Sequence, residues 1–146
     1  VRAALAEAGL SLDERHVAYA PISLPAAEAA AALLLAAPDR PTAIVGTNDV
    51  FAVGVMLAAR RMGIRIPQEL SVTGVDNTDL GATQTPPLTS VATPITDIGR
   101  SAADQLMARL EGAACEHFQE HPVELVVRGS TAPLDPARRA VERIAA

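Results

Sequence analysis

Two short apolar runs, each closed by acidic and amide residues, dominate the hydrophobic pattern of the chain. Residues 42–46 read Thr-Ala-Ile-Val-Gly and lead into Thr47, Asn48 and Asp49; residues 70–75 read Leu-Ser-Val-Thr-Gly-Val and lead into Asp76 and Asn77. Neither run alternates apolar with polar, so the pattern predicts strands covered on both faces, as parallel strands between helices are. Residues 50–62 between them have helix length and stop at Gly63, which suits a left-handed cap. The unit is strand, helix, strand.

The flanking segments continue the alternation. Residues 2–8 read as the last turns of a helix closed by Gly9, so the chain is expected to begin inside an element. Residues 15–20 predict a short strand ended by Pro21. Ser23 as N-cap and Pro25 in the first turn start a helix reaching about Ala37, and Pro38 and Pro41 end it. Residues 76–85 are small and polar, a loop with one helical turn, and Pro86-Pro87 imposes an extended backbone. A strand at 88–92 follows. Pro94 then opens the longest helix, 95–111, which Gly112 closes. Its apolar positions Ile95, Ile98, Ala102, Leu106 and Leu110 keep the helical period, so that face is expected to pack while Arg100, Asp104 and Arg109 stay wet. Residues 123–127 make a last strand and 136–146 a short terminal helix. The fold class is α/β, a doubly wound parallel sheet.

At 146 residues the chain suits one domain, and 49% hydrophobic residues exclude a disordered polymer. A net charge of -5 and basic residues scattered without a stripe argue against binding nucleic acid directly. The single cysteine, Cys115, forms no internal disulfide, no signal peptide opens the chain, and the apolar runs are too short for a bilayer. A soluble cytoplasmic protein with no membrane partner is expected.

Chemistry for catalysis is not visible. No serine stands between glycines as a nucleophile elbow requires, and no phosphate-binding glycine loop occurs, so neither an enzyme nor a cofactor is expected. Cys115, His117 and His121 have donors for a soft or borderline metal, but no second ligand group completes a site; a polar loop is the plainer reading, and no metal is expected. The stronger candidate is a ligand edge. Open parallel sheets gather ligands beyond the carboxyl ends of their strands, where Asn48, Asp49, Asp76 and Asn77 fall. Each alone reads equally well as a helix cap or turn residue. Two such clusters on one rim give the ligand reading its weight.

Residues 41–49, Pro-Thr-Ala-Ile-Val-Gly-Thr-Asn-Asp, resemble the lactose-repressor-type (LacI/GalR) family of bacterial transcription regulators. Residues 63–77, 85–91, 98–102 and 124–130 match further landmarks of that family in order, and the resemblance covers residues 1 to about 133. It implies that Asn48 and Asp76 hydrogen-bond a small effector, often a sugar or nucleobase. It places Ile22 where many members stack an aromatic on the ligand, and Thr93 and Ile95 where the chain crosses to the other lobe at the cleft mouth. Ile22 and an aromatic content of 2% depart from the sugar-stacking pattern, and Asn77 replaces the second residue of an acidic pair. The resemblance further implies a homodimer interface near Val53, Leu57 and Leu80.

The family's helix-turn-helix, hinge and first lobe have no counterpart here, nor does the first strand of the second lobe, which belongs between the strands at 16–20 and 42–46. Residues 1–133 are therefore expected to be part of an effector-binding and dimerisation domain, mostly its C-terminal lobe, and 134–146 a tail. The implied function is effector sensing for a transcription regulator, with operator DNA reached only through a missing N-terminal domain. The alternative is a periplasmic-type sugar-binding protein of a transporter, and an enzyme ranks last.

Overall fold

Asn48 starts the central helix by accepting a hydrogen bond from the Phe51 N–H at 3.0 Å, and α3 (Asp49–Arg61) follows with Asp49 in its first turn and Arg60 and Arg61 in its last, complementing the helix dipole. Gly63, at φ +70°, ends it in the left-handed conformation anticipated from the sequence. The computed structural model describes residues 1–113 and 118–133. The expected terminal helix within 134–146 lies outside them, as do Cys115 and His117.

Before α3 come α1 (Arg2–Glu7), a 3₁₀ turn at Glu14–His16, α2 (Leu24–Ala36) and β1 (Ala43–Val45); after it come β2 (Ser71–Val75), α4 (Asp79–Ala82), β3 (Thr89–Ala92), α5 (Ile95–Leu110) and β4 (Glu124–Val126). The strands form one sheet in the order β1-β2-β3-β4. β1, β2 and β3 run parallel, which bears out the strand-helix-strand reading and the α/β class. β4 is antiparallel to β3, so the sheet is mixed rather than wholly parallel. The cause is visible in α5: it buries none of its residues, so it is no crossover helix on the sheet and the chain simply returns alongside β3.

The core lies between the sheet and the α2–α3 pair. Leu70, Val72 and Leu88 share one buried cluster with Ala52 and Met56 of α3 and with Ala31 and Leu35 of α2, which packs on α3. Burial of β2 alternates, with Val72 and Gly74 inward and Ser71, Thr73 and Val75 half-buried, so coverage of both faces is less complete than the apolar pattern suggests. The two helices meet closely at Gly54, where a Cβ would lie 2.4 Å from the Ala27 Cβ and 2.9 Å from the α2 backbone. Gly54→Ala is therefore expected to force the helices apart and cost about 1–3 kcal/mol as overpacking. Urea melts measure this; an unchanged midpoint would mean that α2 yields freely.

Three sequence expectations need correction. Residues 15–20 form no strand: the 3₁₀ turn at Glu14–His16 takes up their start, and 17–20 pair with no strand among the described residues, although Val17 is extended, at φ −110° and ψ 126°. Extended backbone becomes a strand only beside a partner, and Tyr19 here is 87% exposed. On α5 the apolar face does not pack: Ile95, Ile98, Leu106 and Leu110 all stand exposed, because no described element lies against them. Finally, Val53 is 2% exposed and belongs to the core, so it offers no surface for a dimer partner. Leu57 and Leu80 are half-buried against the same core.

Candidate functional site

The parallel register brings the carboxyl ends of β1, β2 and β3 to one rim. The Gly46 N–H donates to the Thr73 carbonyl at 2.8 Å, and the Asp76 N–H donates to the Val91 carbonyl at 2.9 Å, so Asn48, Asp76 and Thr93 follow neighbouring strand ends. Gly46 is required there: a Cβ would stand 2.6 Å from the Ala52 backbone nitrogen where α3 leaves the strand. Ile95 is exposed as the first residue of α5, and its N–H donates to the Thr93 carbonyl at 2.8 Å. Ile22 stands exposed ahead of α2, next to its cap Ser23.

At the rim the backbone takes an unusual course. Asp76 has φ 100° and Asn77 φ 53°, both in the left-handed region that side chains rarely adopt. The Asp76 carboxylate has no hydrogen-bond or ion-pair partner among the described residues. That leaves its acceptors free for donors on a ligand. Asn48 is divided: its Oδ1 caps α3, while its amide nitrogen is unengaged among the described residues.

Beneath the rim lies Asp49, 1% exposed. Its Oδ2 accepts from the Thr78 N–H at 2.6 Å and the Thr78 hydroxyl at 2.8 Å, and its Oδ1 accepts from the Ser90 hydroxyl at 2.6 Å. Two glycines make room for this carboxylate, since a Cβ at Gly74 would fall 2.3 Å from Oδ1 and one at Gly81 would fall 3.2 Å from Oδ2. From β4's end, the Arg128 guanidinium donates to Asn77 Oδ1 and, at 2.7 Å, to the Leu88 carbonyl. Ser130, fully buried, closes the base of the strands by donating to the Val72 carbonyl at 2.6 Å and accepting from the Thr89 N–H at 2.8 Å. Sequence reasoning did not find Arg128, Ser90 or Thr78 as parts of this network. The one signal available was the pair of glycines at 74 and 81 facing an acidic helix start.

Among the described residues no group of His, Cys, Asp or Glu is placed to hold a metal, and no helix is long and apolar enough to cross a membrane.

Polar side chains at the carboxyl ends of parallel strands form the edge at which open α/β sheets bind ligands. Residues 1–131 match the family described as periplasmic binding protein-like domain. The chain is 36% identical over 135 residues to the helix-turn-helix-type transcriptional repressor CytR of Escherichia coli strain K12, covering 90% of this chain and 39% of CytR. It is 41% identical over 138 residues to the helix-turn-helix-type transcriptional regulator DegA of Bacillus subtilis strain 168, covering 92% and 40%. Among solved structures, the complex of the transcriptional regulator CelR with cellobiose superposes with a TM-score of 0.82 at 32% identity, covering 88% of this chain and 40% of that one. The chain belongs to the periplasmic-binding-protein-like domain family, in its branch of LacI-type transcription regulators. It spans about 40% of the length of these curated relatives.

Proposed function

We propose that the chain is the effector-binding part, mostly the C-terminal lobe, of a cytoplasmic transcription regulator that senses a small sugar-like or nucleobase-like metabolite and acts as a homodimer. The observation that carries this reading is Asp76, whose carboxylate has no partner among the described residues and stands on a strained backbone at the strand-end rim. A charged acceptor there selects ligands rich in hydroxyl or ring N–H donors. Asn48 adds its amide nitrogen, unengaged among the described residues, and Thr93, Ile95 and Ile22 border the cleft that a second lobe would close. With Val53 in the core, the dimer contact falls to the surface beside Leu57 and Leu80. Operator DNA is bound through a separate N-terminal domain, in keeping with the chain's acidic balance. The relatives named above are regulators rather than enzymes, which favours sensing over catalysis and over an exported transporter component.

Thermal-shift measurements on the intact protein that carries this segment, against neutral mono- and disaccharides, nucleosides and nucleobases, test the reading. At least one such compound is expected to raise the melting temperature in a concentration-dependent way. No shift from any of these classes, with the protein folded, would count against it.

A further inference from the structure

We propose that Asp49 is a positioning residue, which holds the Asp76–Asn77 turn in its left-handed form and ties that turn to α4. Left-handed backbone at two successive non-glycine residues persists only when the surroundings over-determine it. On the strand side the turn is fixed by the Asp76 N–H on the Val91 carbonyl. On the α4 side the Thr78 N–H donates directly to Asp49 Oδ2, and the Asn77 N–H donates at 3.1 Å to the Ser90 hydroxyl, which itself donates to Asp49 Oδ1. Both backbone N–H groups after Asp76 thus lead to one buried carboxylate, directly or through one hydroxyl. Arg128 adds a contact to the Asn77 side chain but none to these amides. Thr78 is also the cap of α4, and Gly81 of α4 packs beside the same carboxylate. Any movement of the turn that accompanies a contact at Asp76 therefore reaches α4, and Leu80 with it.

The importance given to Asp76 rests on the proposed effector role. The test uses no effector, so its failure leaves that role standing, and failure of effector binding leaves this holding role standing. Amide hydrogen exchange is measured on the intact protein with Asp49 and with the isosteric Asp49→Asn, which removes the charge and turns one of the two acceptor oxygens into a donor. The Asn77 and Thr78 amides are expected to exchange at least about tenfold faster in the variant, while Val72 and Ala52 keep their rates. Uniform acceleration across core and turn, or no change at the turn, would overturn the proposal. Should Asp49→Asn not fold, Thr78→Val removes a single bond to the carboxylate, and the same selective pattern is required of it. Asp76→Gly supplies a second readout, because glycine relieves a left-handed position. Its effect on melting temperature should be more favourable by at least about 3 °C with Asp49 present than with Asn, where the turn is free to relax. Equal shifts in both backgrounds would likewise overturn the assignment.

Discussion

Asp49→Ala is expected to lower the unfolding free energy by about 2–4 kcal/mol, because hydrogen bonds to a charged, buried acceptor are lost together. Three donors lose their acceptor at once: the Thr78 N–H, the Thr78 hydroxyl and the Ser90 hydroxyl. The Ser90 hydroxyl is fully buried and costs about 1–3 kcal/mol when left unpaired, whereas the donors of Thr78, an exposed residue, turn to water at smaller cost. Asp49 also occupies the first turn of α3, so the helix dipole loses a favourable charge worth about 0.3–1 kcal/mol. Against a domain stability of about 5–15 kcal/mol the loss is a large fraction, enough to move much of the protein into inclusion bodies. Urea denaturation of the intact protein checks it. A change below about 1 kcal/mol would mean that solvent replaces the carboxylate at little cost.

The second large effect concerns the 146-residue chain alone, which is expected to self-associate at micromolar concentration. Among the described residues β1 has a partner on one side only, and its Val45 is 51% exposed, so the other side offers unpaired backbone groups to a second chain. On α5, Ile95, Leu106, Met107 and Leu110 are each more than half exposed along one helix. A side chain of that size contributes about 1.5–3 kcal/mol when fully buried, so covering several together drives association strongly. Sedimentation velocity is expected to show mass rising with concentration, and Leu106→Glu with Leu110→Glu to reduce it. A single monomeric boundary up to about 100 μM would show that these surfaces are innocuous.

The parts legible in the sequence are those whose signals are local. α3 announces itself through a possible cap at Asn48, its length and Gly63, and α5 through its period and Gly112; both form where expected. What each helix packs against is not a local property. The period of α5 marks an apolar face but not the element that covers it, and residues 15–20 carry strand composition with no strand to join among the described residues. The antiparallel β4 was hidden because alternation and composition are the same whichever way a strand runs. At the rim, Asn48 and Asp76 were visible as polar residues after apolar strands. The role of Asp49 was not, since its partners Thr78 and Ser90 lie 29 and 41 residues away, and a carboxylate at a helix start looks the same whether it caps or anchors.

That the strand-end rim is an effector site with Asp76 as its charged acceptor is tested most directly by calorimetric titration of the intact protein and its Asp76→Ala variant with an effector found by thermal shift. Each hydrogen bond to a carboxylate contributes about 1.5–3 kcal/mol. The variant is therefore expected to bind at least about tenfold more weakly, a loss of about 1.4 kcal/mol, while Asn48→Ala costs less because its bonds are neutral. Equal affinity for wild type and Asp76→Ala, both folded, would contradict the assignment and leave Asp76 a turn residue.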